Sequence, residues 1–224
     1  MASASAAPYP PFVKEDFMAS TPEWKLSTGT ARVFPAKDGS LADPVILAAD
    51  GQTGATDFAA FEAGVGHSSY WVLGELRKRS RDLILVGYND AAAPLAERAK
   101  AVEEAISRTI SEQSAFSPLV VGGIGEGALV ARYALAHMEF QHVDHQTGTY
   151  FSYNGTAPTQ EQEIAQLRGM GDWPARPRTL NLVSGEFKSN LDAEEFDESK
   201  TGAANPGGSA ITKELGSWLL EKIG

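Results

Sequence analysis

The chain has 224 residues, a formal net charge of −10 and no cysteine. Nucleic-acid binding needs clustered Lys and Arg, whereas the 19 basic residues here are scattered among 29 acidic ones, so we expect no nucleic-acid partner. The lack of cysteine excludes disulfides and thiolate chemistry. No apolar run approaches the roughly 18 residues of a membrane span, which predicts a soluble protein without a transmembrane segment.

Residues 1–22 are rich in Ala, Ser and Pro and show no apolar period, which predicts a flexible N-terminal arm. This start lacks the charged and apolar regions of a secretory signal, so we expect either a cytoplasmic protein or a secreted one whose signal has been removed. Residues 23–224 are predicted to form a single domain, because α/β folds of this length are commonly one unit. The sequence does not define an oligomeric state.

Short apolar runs alternate with amphipathic stretches along the rest of the chain. Strands are predicted at residues 25–34, 44–50, 82–87, 118–122, 149–153 and 178–183. Helices are predicted at 68–79, 94–112, 128–135, 160–167 and 211–223, and a long acidic loop at 186–208. This alternation is typical of an α/β fold with a mostly parallel sheet of five or six buried strands and helices on both faces.

A glycine-rich turn joins the fourth predicted strand to the helix after it. Gly123, Gly125 and Gly127 alternate there with Ile124 and Glu126. Small residues on both sides of an apex permit a sharp strand-turn-helix whose apex residue is strained. Because ligands of open parallel sheets bind beyond the carboxyl ends of the strands, we expect the site at this turn.

The turn resembles the nucleophile elbow of lipases and esterases in the α/β-hydrolase superfamily, where G-x-S-x-G is followed by a small residue and then Leu-Val-Ala-Arg-Tyr. Further similarity to a bacterial group of lipase type lies at the strand ending in Asp50 and at 144–147, 150–154 and 205–208. The resemblance therefore spans roughly residues 44–210 and implies an α/β-hydrolase-like fold. It places Gly125 at the position of the nucleophilic serine.

The resemblance also implies a catalytic histidine that follows the last strands. The four histidines here, His67, His137, His142 and His145, all come earlier in the chain. The serine mechanism is therefore not expected. An oxyanion hole is still implied, made by the backbone N–H of Glu126 and that of Gly51 or Gln52.

Three side chains are the candidates for acid/base chemistry. Asp50 follows a predicted strand at the expected edge of the sheet, although a turn requirement of Asp-Gly explains it equally well. Glu126 is a candidate whose structural alternative is a favourable charge in the first helical turn. His67 could roof the pocket, or simply lie on the surface. The expected ligand-binding residues are Gly51, Gln52, Thr53, Gly125, Asn154 and Thr156.

No cofactor and no metal are predicted. The spacing of Gly123, Gly125 and Gly127 does not fit a dinucleotide fingerprint. His142 and His145 are predicted to lie on a surface turn rather than at a metal.

These observations leave three functions open, and with them the question of enzymatic activity. The first is a protein that binds or transforms a small apolar ligand with a carbonyl or ester group by acid/base chemistry, as an isomerase, lyase or cyclase does. The second is a non-catalytic ligand-binding or accessory protein. The third is an esterase inactivated by a Ser-to-Gly change.

Overall fold

The computed structural model describes residues 22–37, 39–51, 53–205 and 207–224. Its eight strands form one sheet with the order β1-β2-β4-β3-β5-β6-β7-β8. The strands are β1 (Glu23–Lys25), β2 (Gly29–Phe34), β3 (Pro44–Ala48), β4 (Asp82–Tyr88), β5 (Leu119–Ile124), β6 (Thr147–Tyr153), β7 (Arg178–Val183) and β8 (Glu198–Thr201). The helices are α1 (Phe58–Val65), α2 (Val72–Lys78), α3 (Leu95–Glu112), α4 (Glu126–Phe140), α5 (Glu161–Gly169) and α6 (Lys213–Ile223).

The sheet is mostly parallel, as predicted. Strand β3 pairs in parallel with β4 and β5, and the parallel pairing continues through β6, β7 and β8. Only β2 runs against its neighbours, pairing antiparallel with both β1 and β4 in the described residues. The prediction of an α/β fold with a mostly parallel sheet is confirmed.

Helices cover both faces of this sheet because successive side chains of a strand point to opposite faces. In β3, Ile46 joins the apolar core on the face of α3, α4 and α5, whereas Val45 and Leu47 join the core on the face of α2 and α6. All of these side chains are apolar, so each face needs a cover. This explains why β3 appears in the sequence as a continuous apolar run.

Helix α4 approaches the sheet unusually closely. A Cβ on Gly123 would overlap the backbone of Gly127, and a Cβ on Gly127 would overlap the carbonyl groups of Ala48 and Ala49. Glycines at both positions are therefore required for the helix to start directly over β3 and β5. The prediction that small residues allow a tight strand-turn-helix here agrees with this packing.

Several elements differ from the sequence prediction. The run at 25–34 is broken at residues 26–28 into the hairpin of β1 and β2. Helix α1, capped by Asp57, was not predicted. The predicted loop at 186–208 contains a short 3-10 helix and strand β8. Helix α4 extends further, to Phe140. The predicted N-terminal arm lies, except for Pro22, outside the described residues.

Both edges of the sheet are short and charged. Edge strand β1 has three residues and β8 has four. In β8, Glu198 forms ion pairs with Arg178 and Lys222, and Lys200 pairs with Glu214 of α6. In the described part of the chain, no helix combines the length and the apolar composition that crossing a membrane requires.

Candidate functional site

The strand register brings three predicted site residues together. Ala48 of β3 pairs with Gly123 of β5, so Asp50, two residues later, lies beside Gly125. Ile124 pairs with Tyr153 of β6, which places Asn154 on the other side of Gly125. The site is therefore centred on β5, at the carboxyl edge of the sheet, where open parallel sheets bind ligands.

Gly125 forms the apex of the turn between β5 and α4. Its backbone angles are φ 55° and ψ −126°, a left-handed conformation that side-chain-bearing residues adopt only under strain. The turn is held by two hydrogen bonds: the N–H of Gly125 donates to Tyr153 O at 2.9 Å, and its carbonyl accepts from Ala128 N at 3.2 Å. The chain therefore forms the geometry of a strained elbow with no side chain at its apex.

The Asp50 carboxylate occupies the space above this apex. Its Oδ1 accepts the backbone N–H of Glu126 at 2.9 Å, and a Cβ on Gly125 would overlap the carboxylate. The nearby backbone N–H of Gly51 also lowers the pKa of Asp50. The N–H of Glu126, which was expected to bind an oxyanion, thus binds an aspartate of the same chain. The second expected donor was Gly51 or Gln52, and Gln52 lies outside the described residues.

The pKa of Asp50 is raised. The largest cause is the surrounding protein, which desolvates the carboxylate although the residue still reaches solvent, and the nearby Glu126 carboxylate adds to the effect. The hydrogen bonds from Glu126 N and Gly51 N and the charge of Arg98 act in the opposite direction. The net result is a carboxylate that holds its proton more tightly than an ordinary aspartate.

Glu126 is paired with an arginine that the sequence analysis missed. Its Oε2 lies 2.8 Å from Nη1 of Arg98, whose side chain is only 7% exposed, whereas that of Glu126 is 48% exposed. Arg98 lies on the buried side of α3, three residues after Leu95 and four before Val102. In the sequence, Arg98 could have been recognised as a charged residue among the apolar positions of a helix.

A cavity of about 420 Å³ opens beside Asp50. Helix α1 and residues 208–210 contribute much of its wall, which is rich in small and apolar side chains. Ala49, Ala60, Phe61, Ile124 and Ala210 are among them, while Asp50, Thr53, Thr56, Asp57 and Ser209 supply polar groups. This mixture is typical of a site for a small, largely apolar ligand.

His67 lies behind the wall of this cavity. Its Nδ1 accepts the backbone N–H of Ser69 at 3.2 Å and lies 2.8 Å from Ser69 Oγ. Its Nε2 packs against Gly208, which lines the cavity. The structure thus places His67 next to the roof of the pocket, separated from it by a glycine.

Asn154 connects the ends of β6 and β7. Its Nδ2 donates to Ser184 Oγ at 2.8 Å, and its Oδ1 accepts the N–H of Ser184 at 2.8 Å. Ser184 Oγ in turn donates to Glu186 at 3.1 Å, and Glu186 accepts the N–H of Asn205. The Asn205 N–H is the largest cause that lowers the pKa of Glu186. The amide of Asn154 is therefore used in holding strand ends together.

The other predicted binding residues are placed less closely around Asp50. Thr53 lines the cavity. Thr156 is half-buried in the segment after β6. Gln52 lies outside the described residues.

His145 differs from the predicted surface turn. It is fully buried, with Nε2 3.0 Å from Glu139 Oε1 and Nδ1 accepting the N–H of Thr147 at 3.0 Å. His142 is exposed, as expected for a turn. Within the described residues, no group of three or more His, Asp or Glu side chains is arranged to hold a metal ion.

The fold is similar to that of solved lipases and esterases. A lipase/esterase from Lactobacillus plantarum matches with 10% identity and a TM-score of 0.55, covering 91% of this chain and 98% of that one. A Xanthomonas campestris serine hydrolase without a lid matches with 13% identity and a TM-score of 0.52, covering 92% of each chain. A Pyrobaculum calidifontis esterase matches with 12% identity and a TM-score of 0.57, covering 94% and 90%. No family model and no curated protein match the sequence.

Proposed function

We propose, from the α/β-hydrolase fold that this chain has, that it binds a small, largely apolar carbonyl ligand in the cavity beside Gly125 and that Asp50 exchanges a proton with it. The reaction class is acid/base chemistry, such as isomerisation, elimination or cyclisation, without a covalent serine intermediate. One observation carries the proposal: the Asp50 carboxylate lies over the elbow apex and lines a cavity of about 420 Å³.

The environment of Asp50 supports a role in proton transfer. A carboxylate is a better general base when its pKa lies closer to the working pH, and desolvation moves the pKa of Asp50 in that direction. A ligand seated against the apolar wall would displace water next to the carboxylate, which would strengthen electrostatic interactions there. Gly125, at the position where the resemblance expects a serine, has no atom with which to attack a carbonyl.

Glu126 is less suited to this role than Asp50. Its carboxylate forms an ion pair with Arg98 at 2.8 Å. This pair directs the carboxylate toward α3 and leaves it less available to a ligand than that of Asp50. We therefore assign the proton transfer to Asp50 and a supporting position to Glu126.

Elimination of 5-nitrobenzisoxazole tests this proposal. A carboxylate base removes the C3 proton while the N–O bond breaks, and the coloured 2-cyano-4-nitrophenolate is released without any other reactant. We expect turnover above the buffer rate, and a loss of at least about tenfold in Asp50→Asn. Asp57→Asn is the matched control, because Asp57 lines the same cavity and asparagine also caps a helix.

The comparison of these variants decides the role of Asp50. Equal turnover by the unaltered protein and Asp50→Asn would contradict it. A selective loss in Asp50→Asn, with Asp57→Asn retaining turnover, would support Asp50 as the base.

Non-catalytic binding is the second candidate function. Asp50 already accepts the N–H of Glu126, and the Glu126 carboxylate is paired with Arg98, so the polar groups next to the apex have partners within the chain. A pure binding protein would be stabilised thermally by small ketones and esters without converting them. Saturable stabilisation of both the unaltered protein and Asp50→Asn, with no product by NMR, would favour this function.

A further inference from the structure

Arg98 is buried at a position where a charge is costly. It belongs to the apolar stripe of α3, and its side chain is 7% exposed. Among the described residues its Nε has no hydrogen-bond partner, so the guanidinium is only partly satisfied by its pair with Glu126. Burying a charge in this way disfavours folding unless pairing compensates, so Arg98 is poorly explained by stability alone.

The pair of Arg98 and Glu126 encloses Gly51. A Cβ on Gly51 would overlap the Glu126 carboxylate and would lie 2.8 Å from Nη1 of Arg98. The side chain of Glu126 thus reaches from the start of α4 across Gly51 to α3. The residue whose N–H binds Asp50, Glu126, is therefore the one whose side chain is paired with Arg98 across Gly51.

The same pair sets the charge around Asp50. The groups that face the Asp50 carboxylate are Glu126 from α4, Arg98 from α3 and Tyr88 from β4. The Tyr88 hydroxyl donates to Ala49 O at 3.3 Å, and desolvation raises its pKa, so it stays neutral. The charges that act on Asp50 are therefore the negative carboxylate of Glu126 and the positive guanidinium of Arg98, which oppose each other.

We infer that Arg98 is a positioning residue of this site, which acts through Glu126 to hold the backbone donor of Asp50 and the packed segment at Gly51, and to balance the charge around the carboxylate. This inference rests on the proposed function, in which Asp50 is the working carboxylate. Arg98 itself does not need to touch the ligand.

A double-mutant cycle that removes one or both of the paired charges tests the inference without any assay of activity. The variants are Arg98→Met, Glu126→Gln and the combination of both. The readout is the pH titration, by NMR, of the Asp50 carboxyl carbon and of the backbone amide of Glu126, which donates to Asp50 and should report its ionisation.

The expected changes have opposite signs in the two single variants. Arg98→Met should raise the pKa of Asp50 by about half a pH unit or more, because it leaves the Glu126 charge unbalanced. Glu126→Gln should lower it by a similar amount, because Arg98 then acts alone. In the combined variant both charges are absent, so the pKa should return close to its original value.

Two outcomes separate this inference from a purely structural role. If the variants unfold more easily but the titration of Asp50 does not move, the inference is overturned. If Arg98→Met alone does not fold, the step from Glu126→Gln to the combined variant decides instead. It removes Arg98 without leaving a carboxylate unpaired, and the pKa of Asp50 should rise across that step. Opposite shifts without any turnover of 5-nitrobenzisoxazole would support the positioning role and contradict the proposed function instead.

Discussion

The carboxylate of Asp50 fills the space in which a side chain on Gly125 would have to begin. This relationship follows from the register of two neighbouring strands, because Ala48 pairs with Gly123 and each functional position lies two residues further on. A serine at the apex and an aspartate at position 50 therefore compete for one place. The chemistry of the pocket depends on which of the two occupies it.

Gly125→Ser should destabilise the protein by about 1–3 kcal/mol, because the new side chain overlaps Asp50 and adopts a left-handed φ of 55°. We expect no hydrolysis of p-nitrophenyl butyrate by this variant. Combining it with Asp50→Ala should recover part of the lost free energy of unfolding, measured with urea. Ester turnover by either serine variant, absent from the unaltered protein, would instead favour a disabled esterase.

The stability of Asp50→Asn relative to the unaltered protein should increase as the pH rises. The folded-state pKa of Asp50 lies above its ordinary value of 3.8, so ionisation is disfavoured in the folded state. Unaltered protein should therefore lose stability, relative to the variant, as the pH rises from 3.8 through the folded-state pKa, and the difference should then stay constant. Urea unfolding of both proteins between about pH 4 and 8 measures it. A difference that shrinks with pH would show that the folded state favours the ionised carboxylate.

Gly123→Ala should be strongly destabilising, by about 3 kcal/mol or more, because the new Cβ overlaps the backbone of Gly127 and only a shift of α4 can relieve this. Gly169→Ala is the matched control. It lies at the end of α5, and apart from its chain neighbours and its own helix backbone no atom lies within 4 Å of the added carbon. We therefore expect a change within about 1 kcal/mol, in the stabilising direction. Similar effects of the two substitutions would contradict the close approach of α4 to the sheet.

Asn154→Ala should destabilise the protein more than Asn154→Gly. Both variants lose the two hydrogen bonds to Ser184, at about 1–3 kcal/mol. The φ of Asn154 is 50°, which glycine tolerates and alanine does not, so the alanine variant should be less stable by about a further 1 kcal/mol. If the order is reversed, the left-handed backbone at this position does not limit stability.

Ala60→Leu should weaken ligand binding, because Ala60 lines the cavity and the larger side chain would fill part of its 420 Å³. Ala59→Leu, on the adjacent exposed position of α1, is the control. Saturation with 5-nitrobenzisoxazole should show a several-fold higher KM for Ala60→Leu and little change for Ala59→Leu. Equal effects would place the ligand outside this cavity.

The core of the fold could be predicted because buried parallel strands are continuously apolar. Strands β3, β4 and β5 show this pattern most clearly, whereas β6 and β7 combine apolar residues with polar ones such as Ser152 and Asn181. The helices follow from the spacing of apolar residues. Strand β8 could not be found in this way, because an edge strand of sequence Glu-Ser-Lys-Thr has no apolar alternation. Helix α1 carried a readable signal, the capping Asp57, but the run after it lacks a polar face.

The sequence identified several residues of the site but not the contacts between them. Asp50, Gly125 and Asn154 could be singled out because each follows a strand at one edge of the sheet. Their adjacency depends on the strand order, which places β5 between β3 and β6 and which no local pattern specifies. Arg98 was missed because a charge on a helix is usually solvated, although its spacing from Leu95 and Val102 assigned it to the buried side.

The charged edges of the sheet bear on the behaviour of the protein at high concentration. A free strand edge offers unpaired backbone groups to any other extended chain and is a starting point for aggregation. At β8, an incoming strand would meet Glu198 and Lys200, which are held by Lys222 at 2.5 Å and by Glu214 at 3.6 Å. A second copy would have to disrupt these ion pairs before it could extend the sheet, so the edge favours discrete molecules over open-ended assembly.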